Sequence, residues 1–437
     1  MRLRRTSLSC RFTGVHSEQS LTYMRLLVYP HDLQIGGSQI NAIDLAATVA
    51  EVGHEVVVYG IPGPLVEYIE QRGLRFIPAR RLRYRPAPSR IVQLAQIARD
   101  SRLDLIHAYE WPPCLDAYYG AGLVIGVPVL CTVLSMAVMP YVPASVPLIM
   151  GTSDLGDEAR KVQRGGVWVL EPPIDVVHDH PDIDGSGFRR SQGVADKELL
   201  VVSVSRLAVD LKLDALVRAI DAADLLAGRH PIRLVLVGDG PARDALLERA
   251  RMVNQRWRRE VVSLPGYQMD PRPAYAAADL VMGMGSSALR ALAIGRPVIV
   301  QGEDGFSEVF EPATHGMFMR QGYFGRGYGE VGCGRLASQI EGLLADPARR
   351  SILGQFGRQV VTQRFSLERA TRIQLEIYEH LLRSPPSRDL PDALRSLGRA
   401  LLLEAANHDP WRKRRDRARE QQLLDTARKG AWPPQRT

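Results

Sequence analysis

Cysteine and aromatic side chains are scarce in this chain: four cysteines, Cys10, Cys114, Cys131 and Cys333, and 6% Phe, Trp and Tyr in 437 residues. The cysteines lie far apart, without the paired spacing of a zinc or disulfide framework, which points to a reducing, cytoplasmic setting. So few aromatics supply base-stacking platforms poorly, and a nucleic-acid partner is not expected. A secretory signal is lacking too, because Arg2, Arg4 and Arg5 are followed by no apolar run. The uncharged stretch 117–153 is long enough for a membrane span, but Pro128, Pro140, Pro143 and Pro147 break it, as do Gly120, Gly122 and Gly126. Two buried parallel strands with their loops explain it better.

Charge is absent on balance from the middle of the chain. Residues 1–23 hold four Arg against one Glu, and residues 384–437 hold twelve Lys and Arg against seven acids, which together supply all of the +8. The run Arg412, Lys413, Arg414 and Arg415 reads either as a solvated or disordered tail or as a contact with an anionic membrane surface.

What the chain has is alternation. Short β-rich apolar runs at 25–29, 55–59, 74–77, 103–108, 128–133, 147–151 and 167–170 are separated by helical patterns. After a Pro-rich, acidic linker at 171–187, further runs follow at 199–204, 233–237, 261–264, 280–282 and 297–301. Helices are expected at 38–52, 212–227, 242–252, 286–293 and 367–382. This order predicts two doubly wound α/β domains with parallel sheets, whose ligands bind beyond the carboxyl ends of the strands. The expected division is an unstructured extension at 1–23, a first domain at 24–175, a second at 176–365, a returning helix at 366–383 and a helical or disordered basic tail at 384–437.

Three turns that follow strands carry candidate anion-binding groups, two of them through glycine. Gly36 and Gly37 open the first helix, where backbone N–H groups can approach an anion, although a tight turn without ligand reads equally well. Arg206 ends one strand and Lys212 follows six residues later. They suit a diphosphate leaving group or a surface salt bridge. Gly238-Asp239-Gly240-Pro241 closes the next strand.

Read in order, GGSQ at Gly36, SRL at Ser205, GDGP at Gly238, LPGY at Leu264, YAAAD at Tyr275 and GRPV at Gly295 resemble the retaining GT-B glycosyltransferases of family 4. The resemblance spans 24–382. It implies two Rossmann-like domains facing a central cleft, a nucleotide-diphosphate sugar donor (UDP, GDP or other), no metal or cofactor, and transfer with retention to a hydroxyl acceptor. It places Gly37 near the diphosphate or sugar, Arg206 and Lys212 on the diphosphate, and Tyr267 and Gln268 beside the base. Lys212 comes one residue later than the family's lysine, so the loop must bulge.

Two family glutamates eight positions apart fall on Met282 and Arg290, and neither residue is acidic. The loop through Gly285, Ser286 and Ser287 survives and can hold phosphate through backbone N–H groups. Arg290 either adds a cation there or pairs with Asp279 or Glu303. Glu308 matches a family glutamate downstream, and Glu303 and Asp304 either take over sugar recognition or form a solvated turn. In the first domain, His107 is either a core histidine or catalytic, and Glu110 is a base or acceptor for the incoming hydroxyl. The alternatives to transfer are a degenerate binding subunit and another GT-B reaction such as sugar-nucleotide epimerisation.

Overall fold

The computed structural model describes residues 23–429, except 83–84, 136, 328, 330–331 and 387. The expected extension at 1–23 lies outside the described residues apart from Tyr23, whose hydroxyl donates to Glu55 at 3.0 Å.

The first domain is a seven-stranded, wholly parallel sheet: β1 Arg25–Tyr29, β2 Glu55–Gly60, β3 Arg75–Pro78, β4 Leu105–Tyr109, β5 Val129–Val133, β6 Leu148–Met150 and β7 Val167–Val169. Their order is β3-β2-β1-β4-β5-β6-β7. The second domain contains β8 Leu199–Val204, β9 Ile232–Val237, β10 Val262–Gly266, β11 Leu280–Gly283, β12 Val298–Gln301 and β13 Ser307–Val309, ordered β10-β9-β8-β11-β12-β13. Each sheet reverses its order beside its first strand, which places a ligand crevice at the carboxyl ends of β1 and β4 and of β8 and β11. These strands are continuous apolar runs because helices cover both faces. Val28, Leu105, Leu200, Val202 and Val281 are all buried.

The structure adds to the expected elements in two places. β13 pairs antiparallel with β12, Glu308 opposite Val300, within a stretch the sequence suggests is only an acidic loop. The uncharged stretch does contain β5 and β6, but its beginning is a π-helical turn, Tyr118–Ile125, continuing helix Trp111–Ala117.

Two C-terminal segments connect the domains. Helix Leu367–Arg383 packs on helix Gly37–Glu51 of the first domain, where the Thr371 and Thr48 hydroxyls meet at 2.6 Å. The tail then forms two helices. Helix Leu390–His408 buries Ala393, Ser396 and Ala400 against the first domain, and Pro410–Lys429 lays Leu423, Leu424 and Ala427 on the second. The tail is therefore helical and part of both cores, rather than a solvated or disordered tail.

Candidate functional site

Beyond β8 the chain turns through Ser205, Arg206 and Leu207. The turn is held by the Ser205 N–H donating to the Val237 carbonyl and the Leu207 N–H to the Asp239 carbonyl. Gly238, at φ +145, lies so close beneath it that a Cβ would sit 1.9 Å from the Ser205 carbonyl oxygen. A side chain there would push the Arg206 turn away, so Gly238 works by packing under the turn rather than by facing a ligand. Arg206 is exposed and its guanidinium makes no hydrogen bond or ion pair among the described residues. The extra residue before Lys212 is absorbed at Leu211, which takes φ 62. Lys212 then caps helix Leu213–Ala227 with its ammonium unpaired. Burial pushes its pKa down to about 8.

Lys212 lines a cavity of about 10 Å³ together with Ser205, Leu216, Met282, Gly283 and Gln301, room for about one water. Gln301, 3% exposed, has a buried Nε2 with no acceptor. The Lys212 ammonium and the Gln301 amide thus line one small cavity at the carboxyl edges of β8 and β12, and Arg206 stands on the exposed turn next to Ser205. Buried donors normally have partners, so this edge is built for an anion.

The second wall is a pair of helix N-termini. Gly285, at φ 57, starts helix Ser286–Ala293, and Gly36 starts Gly37–Glu51; neither start has a side-chain cap. A Cβ on Gly37 would lie 3.2 Å from Ser286 Oγ, so the two N-termini face each other across the cleft. Both direct uncapped N–H groups and positive potential there. Ser287 is committed elsewhere: its hydroxyl donates to the Val204 carbonyl at 2.6 Å and accepts from Tyr275 at 3.0 Å. It braces the loop, and Ser286 is the serine left open.

Arg290 pairs with neither Asp279 nor Glu303, which are engaged by Arg189 and Arg326. Its partner is Asp179, 4% exposed and 3.7 Å away. Burial opposes the charge of Arg290, but Asp179 and, more weakly, Tyr275, Asp44 and Tyr68 outweigh it and raise its pKa. Since Asp44 lies on the first domain, this charge cluster spans the cleft.

The remaining second-domain candidates are placed as follows. Tyr267 and Gln268 follow β10 on the same carboxyl edge, with Tyr267 45% exposed. Glu303 accepts from Arg326 at 2.7 Å, and Asp304 lies 3.6 Å from the same guanidinium. Their loop is pinned from behind by Arg218, which donates to the Gly302 and Phe306 carbonyls. Glu308 is paired with Arg335.

In the first domain, His107 does not reach the cleft. It is fully buried on β4, its Nδ1 2.7 Å from the Tyr378 hydroxyl and its Nε2 2.7 Å from Thr132 Oγ1, with Tyr109 stacked on its ring. Burial drives its pKa down to about 3, so it stays a neutral core residue at physiological pH. Glu110, next to the end of β4, adopts φ 68 and ψ 169, a region close to glycine-only. Its carboxylate accepts from the Leu134 and Ser135 N–H groups at 2.9 and 3.0 Å and from Ser135 Oγ at 2.8 Å. Strain of this kind persists where the surroundings over-determine a side chain's position. His31, beyond β1, feels the charges of Asp32, Arg85 and Glu110, while burial lowers its pKa.

Neither Gln301 nor Asp179 stands out as a site residue in the sequence. Gln301 closes an apolar strand run, and its solitary amide was the only available signal; Asp179 lay in the linker with no motif around it.

Residues 35–143 match a family model described as Glycosyltransferase Family 4, and residues 198–345 one described as Glycosyl transferases group 1. A protein of Methanocaldococcus jannaschii named as an uncharacterized glycosyltransferase is 25% identical over 329 residues, 65% of this chain and 81% of the relative. A glycosyltransferase from Rickettsia africae has the same fold at TM-score 0.67 and 14% identity, covering 83% of this chain and 99% of its own. HepE of Anabaena in complex with UDP does so at TM-score 0.64 and 18% identity, covering 82% of this chain and 100% of its own; that protein has also been solved in complex with UDP-glucose. With both halves of the fold matched in order, the chain is a two-domain glycosyltransferase of the GT-B fold, carrying a family 4 domain followed by a group 1 domain.

Proposed function

We propose that the protein transfers a sugar, with retention, from a nucleotide-diphosphate sugar bound mainly on the second domain to a hydroxyl acceptor bound on the first. The observation that carries this reading is the trio of unmatched donors at the carboxyl edges of β8 and β12: Arg206, Lys212 and the Gln301 amide. A diphosphate supplies oxygens to the two cations, and its charge, which grows as the glycosidic bond breaks, is met by the chain itself. The uncapped starts of helices Gly37–Glu51 and Ser286–Ala293 flank the same place and add backbone donors. UDP is the first donor nucleotide to try, because the Anabaena neighbour was crystallised with UDP and UDP-glucose. Glu110, held rigidly at the end of β4, is the candidate acceptor-side carboxylate, and Glu303 and Asp304 serve the donor sugar once Arg326 swings away. The two buried thiols, Cys114 and Cys131, suit a cytoplasmic protein. The exposed Trp411 and the basic helix Pro410–Lys429 offer a surface for anionic lipid.

The test is a thermal-shift screen of UDP, GDP and ADP with their sugar conjugates, followed by turnover with the best binder. Stabilisation by a nucleoside diphosphate and its release during turnover are expected. A folded protein that binds none of them and transfers no sugar would overturn the reading.

A further inference from the structure

A cavity of about 550 Å³ opens on the first domain at the carboxyl ends of β1 and β4, within the size range of small-ligand sites. One wall holds Asp32, Gln34, Arg81 and Trp111; the opposite wall holds Glu404 and Asn407 of helix Leu390–His408. The near wall belongs to the candidate site: Trp111 directly follows Glu110, and Gln34 lies two residues before Gly36. The far wall lies beyond residues 35–143 and 198–345, which the two family models match. We infer that this cavity holds a saccharide acceptor and that the C-terminal helix supplies Glu404 and Asn407 to bind it, an inference that rests on the transferase reading above.

The wall is fixed in place. Asp392 accepts from the Ser145 N–H at 2.8 Å, Arg164 pairs with Asp389 at 2.7 Å, and the Ser396 hydroxyl donates to the Tyr141 carbonyl at 2.6 Å. Glu404 reaches across to accept the Arg85 N–H at 3.3 Å through one oxygen. Asn407 is exposed and its amide makes no hydrogen bond among the described residues.

The lining chooses the class of occupant. Two carboxylates, Asp32 and Glu404, face two guanidinium groups, Arg81 and Arg85, and Arg85 is already drawn to buried Asp116 at 3.4 Å. With Arg85 answered by Asp116, the two carboxylates meet Arg81 alone, so no strongly anionic molecule is selected. Carboxylates and amides that can accept and donate several hydrogen bonds, beside a half-buried indole, match a molecule with hydroxyls on its rim and an apolar ring face. A pyranose has that distribution.

The experiment titrates p-nitrophenyl gluco-, galacto- and mannopyranosides, both anomers, into the full-length UDP-saturated protein and reads binding by ligand-observed NMR. At least one glycoside should bind the wild type, and Asn407→Ala and Glu404→Gln should each weaken it by about tenfold, the effect of one lost hydrogen bond to a charged or fully engaged group, with UDP affinity unchanged. Asn407 is exposed, so its substitution leaves the fold intact even if Glu404→Gln does not. Undiminished binding in the Asn407→Ala protein, or no glycoside bound by the wild type, would overturn the inference. Loss of UDP binding by the wild type sinks the donor reading instead, while titration without UDP still reads the cavity.

Discussion

Lys212→Met should make the free protein more stable and weaken its affinity for a nucleoside diphosphate by about ten- to a hundredfold. The ammonium is held at the start of a helix, where the dipole disfavours a cation, and against Ala215, Leu216, Ala219 and Met282, with no counter-charge. Its pKa falls from 10.5 to about 8, which at about 1.4 kcal/mol per tenfold corresponds to at most about 3 kcal/mol of destabilisation at neutral pH. The folded pKa lies below the unfolded one, so the unfolded chain holds the proton more tightly. The cost is therefore complete below pH about 8 and fades as the pH rises toward 10.5. Methionine keeps the apolar stem and removes the charge. Urea unfolding of the nucleotide-free variant at pH 7 should show a gain of up to about 3 kcal/mol, and calorimetry with UDP should show a loss of about 1.5–3 kcal/mol in binding. A bound diphosphate raises the pKa of Lys212, so binding near and above pH 8 takes up part of a proton. Wild-type affinity for UDP should then decline as the pH rises through about 8, whereas Lys212→Arg should lack that decline. A variant that is less stable, binds UDP as the wild type does and shows the same pH profile would refute this account of the site.

Arg206→Ala should weaken UDP by about 1.5–3 kcal/mol without moving the melting temperature, because Arg206 is exposed and partnerless in the free protein; calorimetry and a thermal melt check the two halves of that statement separately. His107→Ala should cost about 2–4 kcal/mol of stability by orphaning the Tyr378 and Thr132 hydroxyls, while sugar transfer per folded molecule stays as it was, and a loss of turnover in fully folded protein would restore His107 to the chemistry. Truncation after Arg383 should lower the melting temperature, since Ala393, Ser396 and Ala400 leave Tyr118, Tyr119 and Val142 uncovered; an unchanged melt would show the tail to be an appendage.

Where local pattern decides, the sequence alone was enough. The runs at 25–29 and 199–204 are β1 and β8 residue for residue, and 286–293 is a helix as expected, because short apolar runs bounded by polar segments admit few other conformations. The order of such units determined two parallel sheets, and with them the edge where Arg206 and Lys212 stand. Tertiary structure decided what each polar group does once there. His107 is silenced by Tyr378, 271 residues away, Arg290 is answered by Asp179 from the linker, and Glu303 is bound to Arg326. The short polar strand β13 has too few residues to carry a periodic signal and exists through its pairing with β12. Above all, helix Leu390–His408 is legible as an amphipathic helix, but the face it covers and the cavity it closes depend on a docking partner some 250 residues earlier, at Tyr141 and Ser145. A side chain's charge and periodicity are local properties of the chain, whereas its burial and its partners are set only when distant segments share one surface.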